Sequence, residues 1–154
     1  MTNTNNYTSA NKYVPLTTTE DSGTDKLNLV TTYTYDTVRN QTVVDGPRTN
    51  IVDITTTAYD NQRRPIQVTD ALGKLTKLAY DADGNLIRSS AQIGTQWLVS
   101  CKTYTPSDKL LKAWGPGQTA ADTTCPTAAA PVAVTDYVYD DQDRLFRTTQ
   151  NLTV

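Results

Sequence analysis

Aspartates alternate along two short segments, Asp81-Ala-Asp83 and Asp140-Asp-Gln-Asp143, a spacing at which carboxylates can converge on a calcium ion. An EF-hand loop also needs a closing glutamate, and neither segment supplies one. Capping a backbone turn is the simpler role for these side chains. The sequence contains no histidine. That removes the commonest general base, the commonest metal ligand and the imidazole-dependent triads. Cys101 and Cys125 are the only thiols, too few for a structural zinc site. No metal or cofactor is expected. Paired carboxylates are the one remaining basis for catalysis, and here they sit in turns, so the chain reads as non-enzymatic. Tyr and Trp faces beside Asp, Asn and Arg would also suit a sugar platform, which leaves a carbohydrate-binding or adhesion module as the alternative.

The elements that position these residues repeat. An aromatic residue leads into a polar turn at Tyr35-Asp36, Tyr59-Asp60, Tyr80-Asp81, Tyr104-Thr105 and Tyr139-Asp140. The intervals are 24, 21, 24 and 35 residues, within the range that marks a repeat architecture. In the clearest unit, Leu75 to Tyr80 alternates, with Thr76, Leu78 and Tyr80 on one face and Leu75, Lys77 and Ala79 on the other. Asp81 opens the turn and Gly84 supplies the positive φ that closes it. Arg39, Arg63 and Asp143 stand where Gly84 does, so those turns require another type or some strain. A second set of turn signals, Asp45-Gly-Pro-Arg48, Asp70-Ala-Leu-Gly73, Ile93-Gly-Thr-Gln96 and Gly115-Pro-Gly117, falls between the first. Alternating turns about ten residues apart imply an all-β antiparallel meander of long hairpins, roughly ten strands in all.

Composition agrees. Hydrophobic residues make up 37% of the chain, below the usual share for a globular domain, which points to thin sheets. Threonine is abundant and nine tyrosines supply most of the aromatics, both suited to a pleated surface. The net charge is −2 with no basic run, so nucleic-acid binding has no support. No stretch is apolar enough to span a membrane. Residues 1–26 read as a polar, partly disordered segment without a signal peptide, and residues 27–154 as the hairpin array, with a loop insertion at 115–131. Asn6, Asn40 and Asn151 open formal glycosylation sequons, and Arg63-Arg64 reads as a solvated turn.

Tyr80-Asp-Ala-Asp-Gly-Asn-Leu86 and Tyr137-Val-Tyr-Asp-Asp-Gln-Asp-Arg-Leu145 resemble the YD repeats of rearrangement-hot-spot (Rhs) proteins, insecticidal toxin complexes and teneurins. Val44-Asp-Gly-Pro-Arg48 and Trp114-Gly-Pro-Gly117 resemble the turns between those repeats, and the likeness covers about residues 27–150. In that family the hairpins form a strip that spirals into a hollow shell around a polypeptide. The resemblance therefore implies a structural wall segment of a larger secreted or cell-surface bacterial protein. Its partners would be adjoining repeats and an enclosed toxin, or a second copy pairing through open sheet edges. The family's self-cleaving carboxylates have no counterpart in these residues, so no protease function is carried over. Cys125 lies in the insertion and Cys101 late in a strand; the two form a disulfide pinning the insertion, or remain free thiols.

Overall fold

A computed structural model of the chain describes residues 4–7, 14–127 and 132–152, which contain twelve β-strands and no helix. The chain divides into two compact units, residues 1–74 and 75–154. In the first, strands β1 (Thr4–Asn6), β2 (Thr17–Glu20), β3 (Leu29–Tyr35), β4 (Gln41–Asp45), β5 (Ile54–Tyr59) and β6 (Pro65–Thr69) each pair antiparallel with the next. In the second, β7 (Leu75–Tyr80), β8 (Leu86–Ile93), β9 (Gln96–Tyr104), β10 (Leu110–Thr119), β11 (Ala133–Tyr139) and β12 (Leu145–Leu152) do the same. The fold is the all-β meander that the alternating pattern and regular turns predict.

Two strands more than expected arise in the polar opening stretch, where Thr4–Asn6 pairs with Thr17–Thr19. These threonines and asparagines form a ladder without an apolar face. Within the segment 1–26 expected to be partly disordered, residues 1–3 and 8–13 lie outside the described residues, as do the threonines that complete the Asn6 and Asn151 sequons.

Each of the five tyrosine-led hairpins carries a β-bulge beside its tyrosine. Tyr35 pairs with Gln41 while Thr34 pairs with Val43, so Thr42 is the extra residue. The same offset leaves Ile66, Ile87, Leu111 and Phe146 as extra residues in the other four. A bulge adds local right-handed twist and turns its residue out of the regular alternation. That accounts for the exposure of large apolar side chains at Ile66, Leu111 and Phe146.

The Gly115-Pro-Gly117 turn is not formed. β10 runs through it to Thr119, and the register shifts between Trp114 and Gly117. A Cβ on Gly115, where φ is +97°, would strike the Val99 carbonyl and the Ser100 backbone. Glycine permits β9 to approach this closely, and the bulge accommodates a proline that cannot donate to a ladder. The connection to β11 therefore begins at Ala120. By contrast, Ile93-Gly-Thr-Gln96 closes a two-residue hairpin, with Gly94 at φ +60°.

Little of this sheet is buried. Among the described residues Val99 and Cys101 are the apolar side chains fully out of solvent, and Val132 and Val134 are nearly so, all in the second unit. Stability elsewhere must come from links other than a deep core.

Candidate functional site

The tyrosine-led turns share one backbone form. In Asp36–Asn40, Asp60–Arg64, Asp81–Asn85, Thr105–Lys109 and Asp140–Arg144, the first N–H donates to the fifth carbonyl and the fourth N–H to the first carbonyl. Asp70–Lys74, at the other end of the strands, is built identically. In each aspartate-led turn the carboxylate accepts the fifth residue's N–H at 2.8–2.9 Å. At Asp36, Asp60, Asp70 and Asp140 it also accepts the third N–H, at 2.9–3.0 Å. In Thr105–Lys109 the threonine hydroxyl takes the Lys109 N–H at 3.1 Å in place of a carboxylate. The aspartates are thus fully engaged with backbone and neighbouring side chains. No cluster of three or more His, Cys, Asp or Glu lies at metal distance among the described residues.

The fourth turn residue always has positive φ: Arg39, Arg63, Gly73, Gly84, Asp108 and Asp143 span +59° to +98°. The turn type does not change where glycine is missing. Four non-glycine residues accept a left-handed conformation that costs an ordinary residue about 1–2 kcal/mol. Three of them link adjacent tips. Arg63 Nε donates to Asn40 Oδ1 at 2.8 Å, Asn85 Nδ2 to Asp108 Oδ1 at 2.7 Å, and Ser107 Oγ to Asp143 Oδ1 at 3.2 Å. Sequence reasoning missed these links. Their signal was the presence of side chains with hydrogen-bonding ends where glycine would have been easiest.

The tyrosines finish what the backbone ladders leave open. Between hairpins, registered pairing stops at Thr17–Thr32, Val43–Thr56, Arg88–Cys101 and Lys112–Asp136. Each time, the tyrosine sits three residues further along one strand and its acceptor two residues back on the other. Tyr35 donates to the Pro15 carbonyl at 2.9 Å, Tyr59 to Gln41 at 3.0 Å, Tyr104 to Leu86 at 3.0 Å and Tyr139 to Leu110 at 2.9 Å. The hydroxyl is therefore the last rung of each inter-hairpin ladder. Tyr80 holds the same position at the end of β7.

Electrostatics at the tips favour ionised carboxylates. Burial alone pushes the Asp36 and Asp81 carboxyls up, but donated hydrogen bonds from Asn40 and Val38, and from Asn85, hold both below the ordinary carboxylate range. At Asp60 and Asp140 the backbone N–H of Arg64 and of Arg144 leads the same downward shift, with the guanidinium Nε 2.7 Å from the carboxylate in both. Burial, helped by the Asp81 charge, pushes the Tyr104 hydroxyl up, so it stays a donor.

The second distinctive feature is a cover on the face of β9 opposite Tyr104. Trp97, Val99 and Cys101 share that face, and residues 120–127 lie against it. Cys101 and Cys125 are bonded, with Cα atoms 5.9 Å apart and a sequence separation of 24. Ser90 Oγ donates to the Asp122 carbonyl at 2.7 Å, Trp114 Nε1 to the Pro126 carbonyl at 3.2 Å, and Lys77 Nζ lies 3.0 Å from the Asp122 carboxylate. Lys77 also sits 5.1 Å from the Trp97 ring centre. A Cβ at Gly117 would collide with Val132 and Pro126, so glycine in β10 makes room for the cover.

No family model matches the chain, and no curated protein does. Among solved structures, the Photorhabdus luminescens Tc holotoxin pore bearing a TccC3 mutation is similar at 14% identity and a TM-score of 0.49, over 97% of this chain and 9% of that one. Crystal structures of TcdB2-TccC3-TEV and TcdB2-TccC3-Cdc42 are similar at 11% and 13% identity with TM-scores of 0.29 and 0.30, each over 89% of this chain and 10% of theirs. The chain spans about a tenth of the length of these structures.

Replacing Tyr59 or Tyr104 with phenylalanine keeps the ring and removes one hydroxyl donor from a partly buried carbonyl. Each change should lower unfolding stability by about 1 kcal/mol in urea titrations. The lowered carboxyl values set a pH dependence. Stability from Asp36, Asp60, Asp81 and Asp140 is fully present above the unfolded carboxyl value of about 3.9 and is lost as pH falls through the folded values. Thermal melts from pH 7 down to pH 2 should therefore drop below about pH 4, and a variant with all four aspartates changed to asparagine should drop much less. For the cover, Cys125→Ser should cost about 3 kcal/mol on the chain-entropy scale. It should also speed amide exchange at residues 120–127 while leaving the first unit unchanged.

Proposed function

We propose that this chain is a non-enzymatic wall segment of a YD-repeat shell, part of a larger secreted or cell-surface bacterial protein that encloses a toxin or another polypeptide. The observation that carries the reading is the repeated rung, in which four tyrosine hydroxyls close four inter-hairpin ladders with identical offsets. A device repeated at four junctions serves the continuity of a sheet and not a single binding event. The chemistry of the tips points the same way, since the turn carboxylates are consumed by backbone N–H groups and are not aimed at a reacting centre.

The mechanism is containment. A continuous hydrogen-bonded wall excludes solvent and proteases from whatever lies behind it, and its strength depends on every junction being closed to the tip.

Limited proteolysis of the full-length parent protein tests this. The enclosed polypeptide should resist cleavage under native conditions and be cleaved quickly once the wall is opened by acid or by combined Tyr→Phe changes. Equal cleavage rates for the enclosed polypeptide and the same polypeptide expressed alone would overturn the proposal. Saturable binding of a glycan by this chain on an array would overturn it in favour of a carbohydrate-binding module.

A further inference from the structure

We propose that the Cys101–Cys125 disulfide is a modification site of fixed polarity: a thiol from solvent joins Cys125, and Cys101 departs as a thiolate held beside Arg88. The exchange takes place at the cover, away from the tyrosine rungs, and does not depend on the wall reading.

The two sulfurs stand in different surroundings. Cys101 is 1% exposed and sits in β9 directly opposite Arg88 on β8 and Trp114 on β10. Residues opposite one another in antiparallel strands share a face, so both side chains flank Cys101 beneath the cover. Both also fasten the cover itself. Arg88 Nη1 donates to the Thr123 carbonyl at 3.3 Å, and Trp114 Nε1 to the Pro126 carbonyl at 3.2 Å. Cys125 belongs to the cover and is only half-buried, with exposed Thr123, Thr124 and Thr127 near it in sequence.

A thiolate attacks a disulfide along the S–S axis, from the side opposite the leaving sulfur, and access to the attacked sulfur governs the rate. The line from Cys125 to Cys101 leads from the cover into the sheet, so attack on Cys101 would need a path through β9. Attack on Cys125 comes from the outer side of the cover. The leaving group is favoured as well. A neighbouring guanidinium lowers a thiol's pKa, and a thiol of lower pKa leaves faster. Arg88 supplies that charge beside Cys101, held in place by the Thr123 carbonyl. Lys77 and Lys112 are instead paired with the Asp122 and Asp136 carboxylates.

In the step, the incoming thiolate forms a bond to Cys125 Sγ while the Cys101–Cys125 bond breaks, its electron pair going to Cys101 Sγ. One disulfide replaces another and no outside oxidant or reductant is consumed. A dithiol would carry the chemistry on to a two-electron reduction, closing its own disulfide and releasing Cys125; both cysteines then take protons from water.

The test incubates the folded chain with glutathione, quenches in acid at early times and locates the adduct by peptide mass spectrometry without reductant. The mixed disulfide should be on Cys125, with Cys101 the free thiol. The chain unfolded in urea should carry the adduct on both. Arg88→Gln separates the two roles of the arginine, because their signs differ. Loss of a clamp on the cover would speed exchange, whereas loss of the charge beside the leaving thiolate should slow it about threefold, and Arg88→Lys should restore the rate. An adduct on Cys101, or one shared equally between the cysteines of the folded chain, would overturn the proposal. So would the absence of any adduct on the folded chain, an equal bias toward Cys125 after unfolding, or exchange in Arg88→Gln that is unchanged or faster.

Discussion

The structure depends on a hydroxyl placed where two backbones have stopped pairing. Neighbouring hairpins share a ladder over only part of their length, because the bulge beside each tyrosine increases twist just before the tip. Beyond the last registered pair the regular ladder is not continued, and without the hydroxyl the Pro15, Gln41, Leu86 and Leu110 carbonyls would lose that donor. A tyrosine side chain is long enough to cross that gap and ends in a donor. Phenylalanine would fill the same volume without closing the ladder, and threonine would fall short. In a sheet with only two fully buried apolar side chains among those described, Val99 and Cys101, a polar closure at each of the four junctions matters more than it would above a thick core.

The turns show how local strain and lateral linkage are balanced. A five-residue turn led by aspartate satisfies its own N–H groups and forces positive φ on the fourth residue. Glycine takes that conformation without cost, as at Gly73 and Gly84. Arg63, Asp108 and Asp143 accept the strain and in return reach a neighbouring tip. A hydrogen bond contributes roughly as much as the left-handed conformation costs, so the exchange is close to neutral for a single turn. Its effect is on order across turns, since an isolated hairpin tip has nothing to hold it against its neighbour.

Much of this was legible in the sequence because the chemistry is local. Alternation in Leu75–Tyr80 and the Asp-led turns identify strands and tips without knowledge of the fold. The tip-to-tip links were not legible, since Asn40 and Arg63 are 23 residues apart and nothing in either turn alone names the other. Gly115-Pro-Gly117 misled for a physical reason. Proline and glycine serve a turn and a bulge equally well, and the approach of Val99 and Ser100 decides between them. Threonines and asparagines near the N-terminus form β1 and β2 although their composition resembles a solvated tail, because a ladder needs only backbone groups and a neighbour.

The disulfide-bonded cover resolves a different problem with different means. Residues 120–127 contain few apolar side chains, so ordering them against the sheet has a large conformational cost. Burial of Val132 and Pro126 around Gly117, the contacts of Asp122 with Ser90 and Lys77, and a covalent bond at Cys125 act together at one place. The bond is placed where it shortens the unfolded loop and where its own sulfur atoms add to the small core, Cys101 being 1% exposed. The cover lies on the face opposite Tyr104, so it leaves the tyrosine rungs untouched. Tip closure and face coverage are therefore independent in this chain. The first recurs at four junctions, whereas the second occurs once among the described residues and is what distinguishes this segment from a uniform array.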